Sequence, residues 1–212
     1  MMSVEEAIRK RRSTRRFRPE PISREHVLQM LEAARLAPSA SNLQPWRFVV
    51  VTDAAEKRRL RELCLDQAFI EEAAVVFVAC ADLSRYSRAA TRRRYQEILE
   101  AQVELSGRFA DPRYQGLMDS IPEPEQRAVR APATANTYIA AEHIVLTATA
   151  LGLGSCWVGG ITDHQAIKEL LGIPEHMLVV ALVAVGYPAQ APPPRPRLPL
   201  EEILLRPLPQ GL

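Results

Sequence analysis

The chain has 212 residues, 47% of them hydrophobic and 25% charged, with a formal net charge of +2. That is enough apolar material for one globular domain with a sizeable core, and too little net charge to single out a class of partner. No run approaches 18 consecutive apolar residues, so no membrane span is expected, and the N-terminus lacks the apolar stretch of a signal peptide. Cys64, Cys80 and Cys156 are too few and too scattered for a disulfide framework, and His26, His143, His164 and His176 show no metal-ligand spacing. Reduced thiols, a cytoplasmic location and no metal are the expectation.

In chain order, Ser3 caps a short helix beginning at Val4, with acids in its first turn. Arg18-Pro19-Glu20-Pro21 interrupts the pattern. Ser23 caps a second helix whose apolar residues Val27, Met30, Leu31 and Ala34 recur at helical spacing, and Pro38 ends it. Residues 47–51 read as a strand and 54–63 as a helix. Residues 73–81 are apolar without alternation, the composition of a strand covered on both faces. The stretch 84–130 is rich in Arg and Glu; it predicts a charged helix over 90–107 and then a mobile excursion. Pro132 suits the first position of a long Ala-rich helix ending at Ala150, before Gly152.

Residues 155–158 predict a short strand closed by Gly159-Gly160. Asp163 caps a helix stopped by Gly172 and Pro174, and 178–185 form another doubly buried strand. Beyond Tyr187 the chain turns proline-rich. It should run extended over a surface and lead into Leu200–Leu204, whose apolar groups need a partner. Four strands with helices on both faces give an α+β domain spanning 1–212. Within it, 84–130 is a variable segment and 188–212 an arm directed at a second subunit.

Two segments carry chemistry. Residues 9–18 hold seven Arg or Lys and no acid. A solvated helix end or a nucleic-acid patch would have that composition, but the embedded Ser13 and Phe17 favour a built site. Guanidinium groups around a serine hold a phosphate. Residues 37–46, Ala-Pro-Ser-Ala-Ser-Asn-Leu-Gln-Pro-Trp, suggest a tight loop against a flat ligand.

Four motifs in this order resemble the FMN-binding nitroreductase family: Arg-Arg-Ser-x-Arg-x-Phe at 11–17, Pro-Ser-x-Ser-Asn-x-Gln-Pro-Trp at 38–46, Gly-Leu-Gly-Ser-Cys-Trp-Val-Gly-Gly at 152–160, and Arg-Pro-Arg-Leu-Pro at 195–199. The resemblance implies a three-layer α/β/α domain with a mixed, mainly antiparallel sheet, in an intertwined homodimer with C-terminal arm exchange. It implies FMN as cofactor and NADH or NADPH as donor. Arg11, Ser13, Arg195 and Arg197 would hold the phosphate, with Arg12 facing the ribityl chain or phosphate edge. Arg15 would lie near flavin N1 and C2=O as an electrostatic tuner. Pro38, Ser39, Ser41 and Asn42 would reach the flavin of the other subunit. Gly159 and Gly160 would turn their backbone toward N5, and Gln67 could bond the pyrimidine edge. A second basic residue at the pyrimidine is missing from the 65–70 segment.

The implied activity is NAD(P)H oxidation coupled by ping-pong hydride transfer through flavin N5 to a small-molecule acceptor such as a nitroaromatic or a quinone. Specialised relatives, a reductive dehalogenase or a flavin-fragmenting dimethylbenzimidazole synthase, depend on residues in the 84–130 region, where the resemblance fades. A nucleic-acid module using the 9–18 run is the alternative of another class. Neither nucleic acid nor a membrane is an expected partner.

Overall fold

The computed structural model describes residues 2–101 and 123–209. The mobile excursion expected after the charged helix lies outside the described residues. The elements in order are α1 (Val4–Lys10), α2 (Arg24–Arg35), β1 (Trp46–Val51), α3 (Ala54–Glu62), α4 (Phe69–Glu72), β2 (Val75–Asp82), α5 (Arg88–Glu100), α6 (Gln126–Ala150), β3 (Gly154–Val158), α7 (His164–Leu171) and β4 (Met177–Gly186).

The four strands form one sheet in the order β1-β2-β4-β3, and every ladder is antiparallel. Among the described residues, the single parallel pairing is an isolated bridge between Ser13 and Ser155. β2 and β4 are central. All eight residues of β2 are buried, which is why its sequence shows no alternation. The alternation reappears in where the side chains go. Val76, Val78 and Cys80 pack toward α3, α4 and α7 with Leu60, Ile70 and Ile167. Val75, Phe77 and Ala79 pack the other way, on Met30 and Ala34 of α2 and Ile144, Val145 and Ala148 of α6. One strand thus faces two cores, giving helices on both faces of the sheet.

The caps expected at Ser3, Ser23 and Asp163 are present as side-chain acceptors for the amides of Glu6, His26 and Ala166. Pro132 differs from expectation. It lies inside α6, which begins at Gln126 rather than at the proline. Proline lacks the N–H that would bond the Ala128 carbonyl, and its ring crowds that carbonyl, yet the helical backbone continues for six residues ahead of it. The charged helix runs Arg88–Glu100. From Pro188 to Pro199 the chain carries no helix or strand, and residues 200–203 make a single 3-10 turn.

Candidate functional site

β3 is an edge strand, so its outer amides and carbonyls need partners. The segment after α1 supplies them. The Thr14 amide donates to Ser155 O at 2.9 Å, and Ser13 pairs with Ser155. The approach is tight because residue 154 is glycine. A Cβ there would stand 2.7 Å from Thr14 Oγ1 and 2.8 Å from its Cβ. Further along, the Arg18 amide donates to Tyr187 O and the Ala189 amide to Arg16 O, both at 2.9 Å. The N-terminal segment is thereby threaded between β3 and the exit of the C-terminal arm. Glu72 clamps it from the other side, accepting from the Phe17 amide and from Arg16 Nη1 at 3.1 Å. Thr14 is buried.

This threading brings opposite ends of the chain around one cavity of about 830 Å³. Arg11, Arg12, Ser13 and Arg15 border it from one side, and Arg195 and Arg197 from the other. Arg9 also reaches it, already paired with Glu5. No carboxylate among the described residues lines the cavity. Among the described residues, none stands within ion-pair distance of Arg11, Arg15, Arg195 or Arg197. Such a concentration of uncompensated guanidinium is unfavourable by itself and suits a multiply charged anion. Arg12 is committed elsewhere: its Nη1 donates to Arg9 O at 2.6 Å and Arg11 O at 2.8 Å, capping the end of α1.

β3 leads from this cavity to the glycine turn. Ser155 and Gly159 are four residues apart, about 13 Å at the usual strand rise. Arg15 and Arg11 lie close enough to this strand that their charge acts on the Cys156 thiol. Burial pushes that thiol up, and the two cations offset it only in part. The two glycines of the turn differ. A Cβ on Gly160 would strike Leu65 Cδ1 at 2.6 Å and come within 3.7 Å of Gln67 Nε2. A Cβ on Gly159 would meet nothing within 4 Å. Gly160 thus leaves room for the Leu65 side chain, and Gly159 fronts open space. Gln67 lies beside this turn, its Nε2 donating to Cys64 O at 3.0 Å. Leu65 and Asp66 just before it both have positive φ, 56° and 50°, an arrangement that ordinary residues hold only when their surroundings enforce it.

The 38–44 loop does not border the arginine cavity. Ser41, Asn42 and Gln44 all sit at positive φ near 50°. The loop is fixed from several directions. The Gln44 amide donates to Ser39 Oγ at 2.9 Å and its side chain to Asn42 Oδ1 at 2.9 Å. Asn136 of α6 accepts from the Ala40 amide and donates to Tyr86 OH. Arg85 Nε donates to Leu43 O at 3.1 Å. Pro38, Ser39, Ser41 and Asn42 are thus brought together with one another and not with the arginines of their own chain. Motif reading missed Glu72, Asn136 and the packing role of Gly154. Of these only Gly154, inside a Gly-x-Gly pair, left a visible trace.

The nitroreductase family model matches residues 8–187. The chain belongs to that family. A relative named NADH dehydrogenase from Thermus thermophilus is 40% identical over 205 residues, covering 97% of this chain and 96% of the relative. An NADPH-flavin oxidoreductase of Vibrio harveyi is 30% identical over 96% of this chain and 73% of its own length. Among solved structures, a nitroreductase family protein from Streptococcus pneumoniae superposes with a TM-score of 0.76 at 26% identity, covering 96% of this chain and all of that one. The NADPH:FMN oxidoreductase of Vibrio harveyi, solved with NAD+, gives a TM-score of 0.71 at 28% identity over 99% of this chain and 79% of its own.

Proposed function

We propose that this chain is an FMN-dependent NAD(P)H oxidoreductase that works as a homodimer and reduces nitroaromatics, quinones or similar electron-poor acceptors by a ping-pong route. The observation that carries the reading is the cavity, lined by no carboxylate among the described residues, where arginines from both ends of the chain converge, one strand-length from a glycine that fronts open space. An elongated ligand with an anionic end and a flat far end fits that layout; a compact anion would use only half of it.

When bound, FMN supplies a ring that takes up hydride from the dinucleotide and passes it to the acceptor. The chain's own residues bind and orient. Arg11, Arg195 and Arg197 neutralise the phosphate as charged donors, and Ser13 adds a hydroxyl. Arg12 contributes at the edge with whatever donors its capping role leaves free. Arg15, held beside β3, places a fixed positive charge toward the ring. Gly159 lets backbone approach closely, because no side chain intervenes. Gln67 offers an amide beside the same turn. Pro38, Ser39, Ser41 and Asn42 form a preshaped surface for the ring of the partner subunit, and the arm from Pro188 wraps that partner. No acid or base is required of the protein, since proton and hydride sources lie in the bound molecules and solvent.

The purified protein should be yellow, and heating should release FMN rather than FAD. Arg197→Ala should weaken FMN binding by at least tenfold, the loss of one charge-assisted contact costing about 1.5–3 kcal/mol. It should leave the urea midpoint of the apoprotein unchanged, because the side chain bonds only its neighbours' carbonyls. A colourless protein that takes up no added FMN would remove the basis of this reading.

A further inference from the structure

A second cationic pocket lies at the start of α5, away from the arginine cavity. Ser84, Arg85, Ser87, Ala89, Ala90 and Arg93 line about 230 Å³. We propose that this pocket is a subsite for an anionic group, a phosphate or carboxylate, carried by a donor or acceptor molecule that enters beside the 38–44 loop. The proposal rests on the oxidoreductase reading above for the identity of those molecules.

The charge balance supports it. Among the described residues, Arg94, Arg47 and Arg93 act electrostatically on Arg85; two of these four have carboxylate partners, Arg47 with Asp82 at 3.1 Å and Arg94 with Glu97. Arg85 and Arg93 have none among the described residues. Arg85 uses only Nε, on Leu43 O, leaving both terminal nitrogens as donors. Arg93 is exposed and, among the described residues, makes no hydrogen bond or ion pair. The frustration is visible in Arg85, whose affinity for its proton is lowered by burial and then by Arg94, Arg47 and Arg93, with only Asp82 opposing.

The hydroxyls divide in the same sense. Ser84 spends its proton on Asp82 Oδ1 at 2.5 Å. Ser87 accepts from the Ala90 amide, which leaves its own proton to donate. Glu123 already occupies the Arg88 amide at 3.1 Å, so an incoming anion would meet Arg85, Arg93 and Ser87 rather than the bare helix end. The tie from Arg85 to Leu43 places these donors against the loop proposed to face the partner's ring.

The test uses full-length, flavin-loaded protein, and Arg93→Gln as the variant, because Arg93 is exposed and makes no hydrogen bond or ion pair among the described residues. Calorimetry compares adenosine 2′-monophosphate with adenosine. Steady-state KM values compare 4-nitrobenzoate with nitrobenzene. The expected result is a loss of about tenfold for one charged member of a pair, with its neutral counterpart unchanged and Arg93→Lys restoring most of the loss. Loss confined to the nucleotide assigns the anion to the phosphate of the electron donor, and loss confined to nitrobenzoate assigns it to the acceptor. Equal changes for charged and neutral members, or none for either pair, overturn the proposal. Flavin content and NADH oxidation by the wild type test the oxidoreductase reading separately. A colourless protein that still binds the anion through Arg93 would sink that reading and leave the subsite standing.

Discussion

Arg15 and the three cysteines show how much one residue's surroundings decide. Arg15 has no carboxylate partner among the described residues, so its whole charge is available to a bound group. Reduction of a flavin concentrates negative charge at its pyrimidine end, and the 65–70 segment offers no second cation there. Arg15→Gln should therefore lower the flavin midpoint. One tenfold loss of anion stabilisation is about 1.4 kcal/mol, on the order of 30 mV for a two-electron couple. A dye-linked redox titration at equal FMN occupancy measures it; coincident midpoints would mean Arg15 is not near that charge. The thiols point the opposite way. Burial raises Cys64 to about 11 and Cys80 to about 12, against an ordinary value of 9.0. Their folded values exceed the unfolded ones, so the stability they carry is complete below pH 9 and is lost as pH climbs through 11 to 12. Urea midpoints should fall along that alkaline limb, and Cys80→Ala should make the fall shallower. A limb of unchanged slope would mean Cys80 ionises freely in the folded chain.

At the scale of elements, the site depends on how the 11–18 segment docks on β3. Gly154 permits the docking and Gly159 faces away from the protein, which separates two effects that sequence alone merges. Gly154→Ala forces a methyl to within 2.7 Å of Thr14 Oγ1 and 2.8 Å of its Cβ and Cγ2, crowding that whole buried side chain. It should destabilise the apoprotein by about 2 kcal/mol, the usual scale of overpacking, and weaken FMN as Ser13 shifts. Gly159→Ala should leave urea unfolding of the apoprotein unaltered while weakening FMN, since its methyl meets no protein atom within 4 Å. Equal urea midpoints for wild type and Gly154→Ala would show that β3 and Thr14 separate at little cost.

The whole molecule presents an arm that finds no core of its own. Leu200, Ile203 and Leu208 are more than 60% exposed, and Leu205 is fully so. A proline-rich lead cannot fold these residues back as a helix. Burial of such side chains against a second copy would contribute about 1.5–3 kcal/mol each, enough in sum to hold two subunits together. Sedimentation should find a dimer. Deleting residues from 189 onward should yield a monomer that has lost FMN, because Arg195 and Arg197 leave with the arm. A full-length monomer that keeps its FMN would contradict the arm's proposed role.

Much of this protein was legible in the sequence. The caps at Ser3, Ser23 and Asp163 were readable because capping is local, and the doubly covered strands because burial on both faces removes alternation. Strand boundaries fell within one or two residues. The extension of α6 ahead of Pro132 was not legible, since those six residues carry no apolar stripe and the proline reads equally well as a start. The family was readable from four short motifs, because each keeps its residue types and order within a short span. What only the tertiary structure decided is which of those motifs meet. Arg11 and Arg197 are 186 positions apart in the chain, and the edge hydrogen bonds of β3 together with the Glu72 clamp bring them to one cavity. The same packing turned Arg12 back onto α1, set Gly160 against Leu65, and left Arg85 and Arg93 without carboxylates among the described residues. None of these follows from spacing, because each depends on which surfaces remain unpaired after the sheet and its two cores have formed.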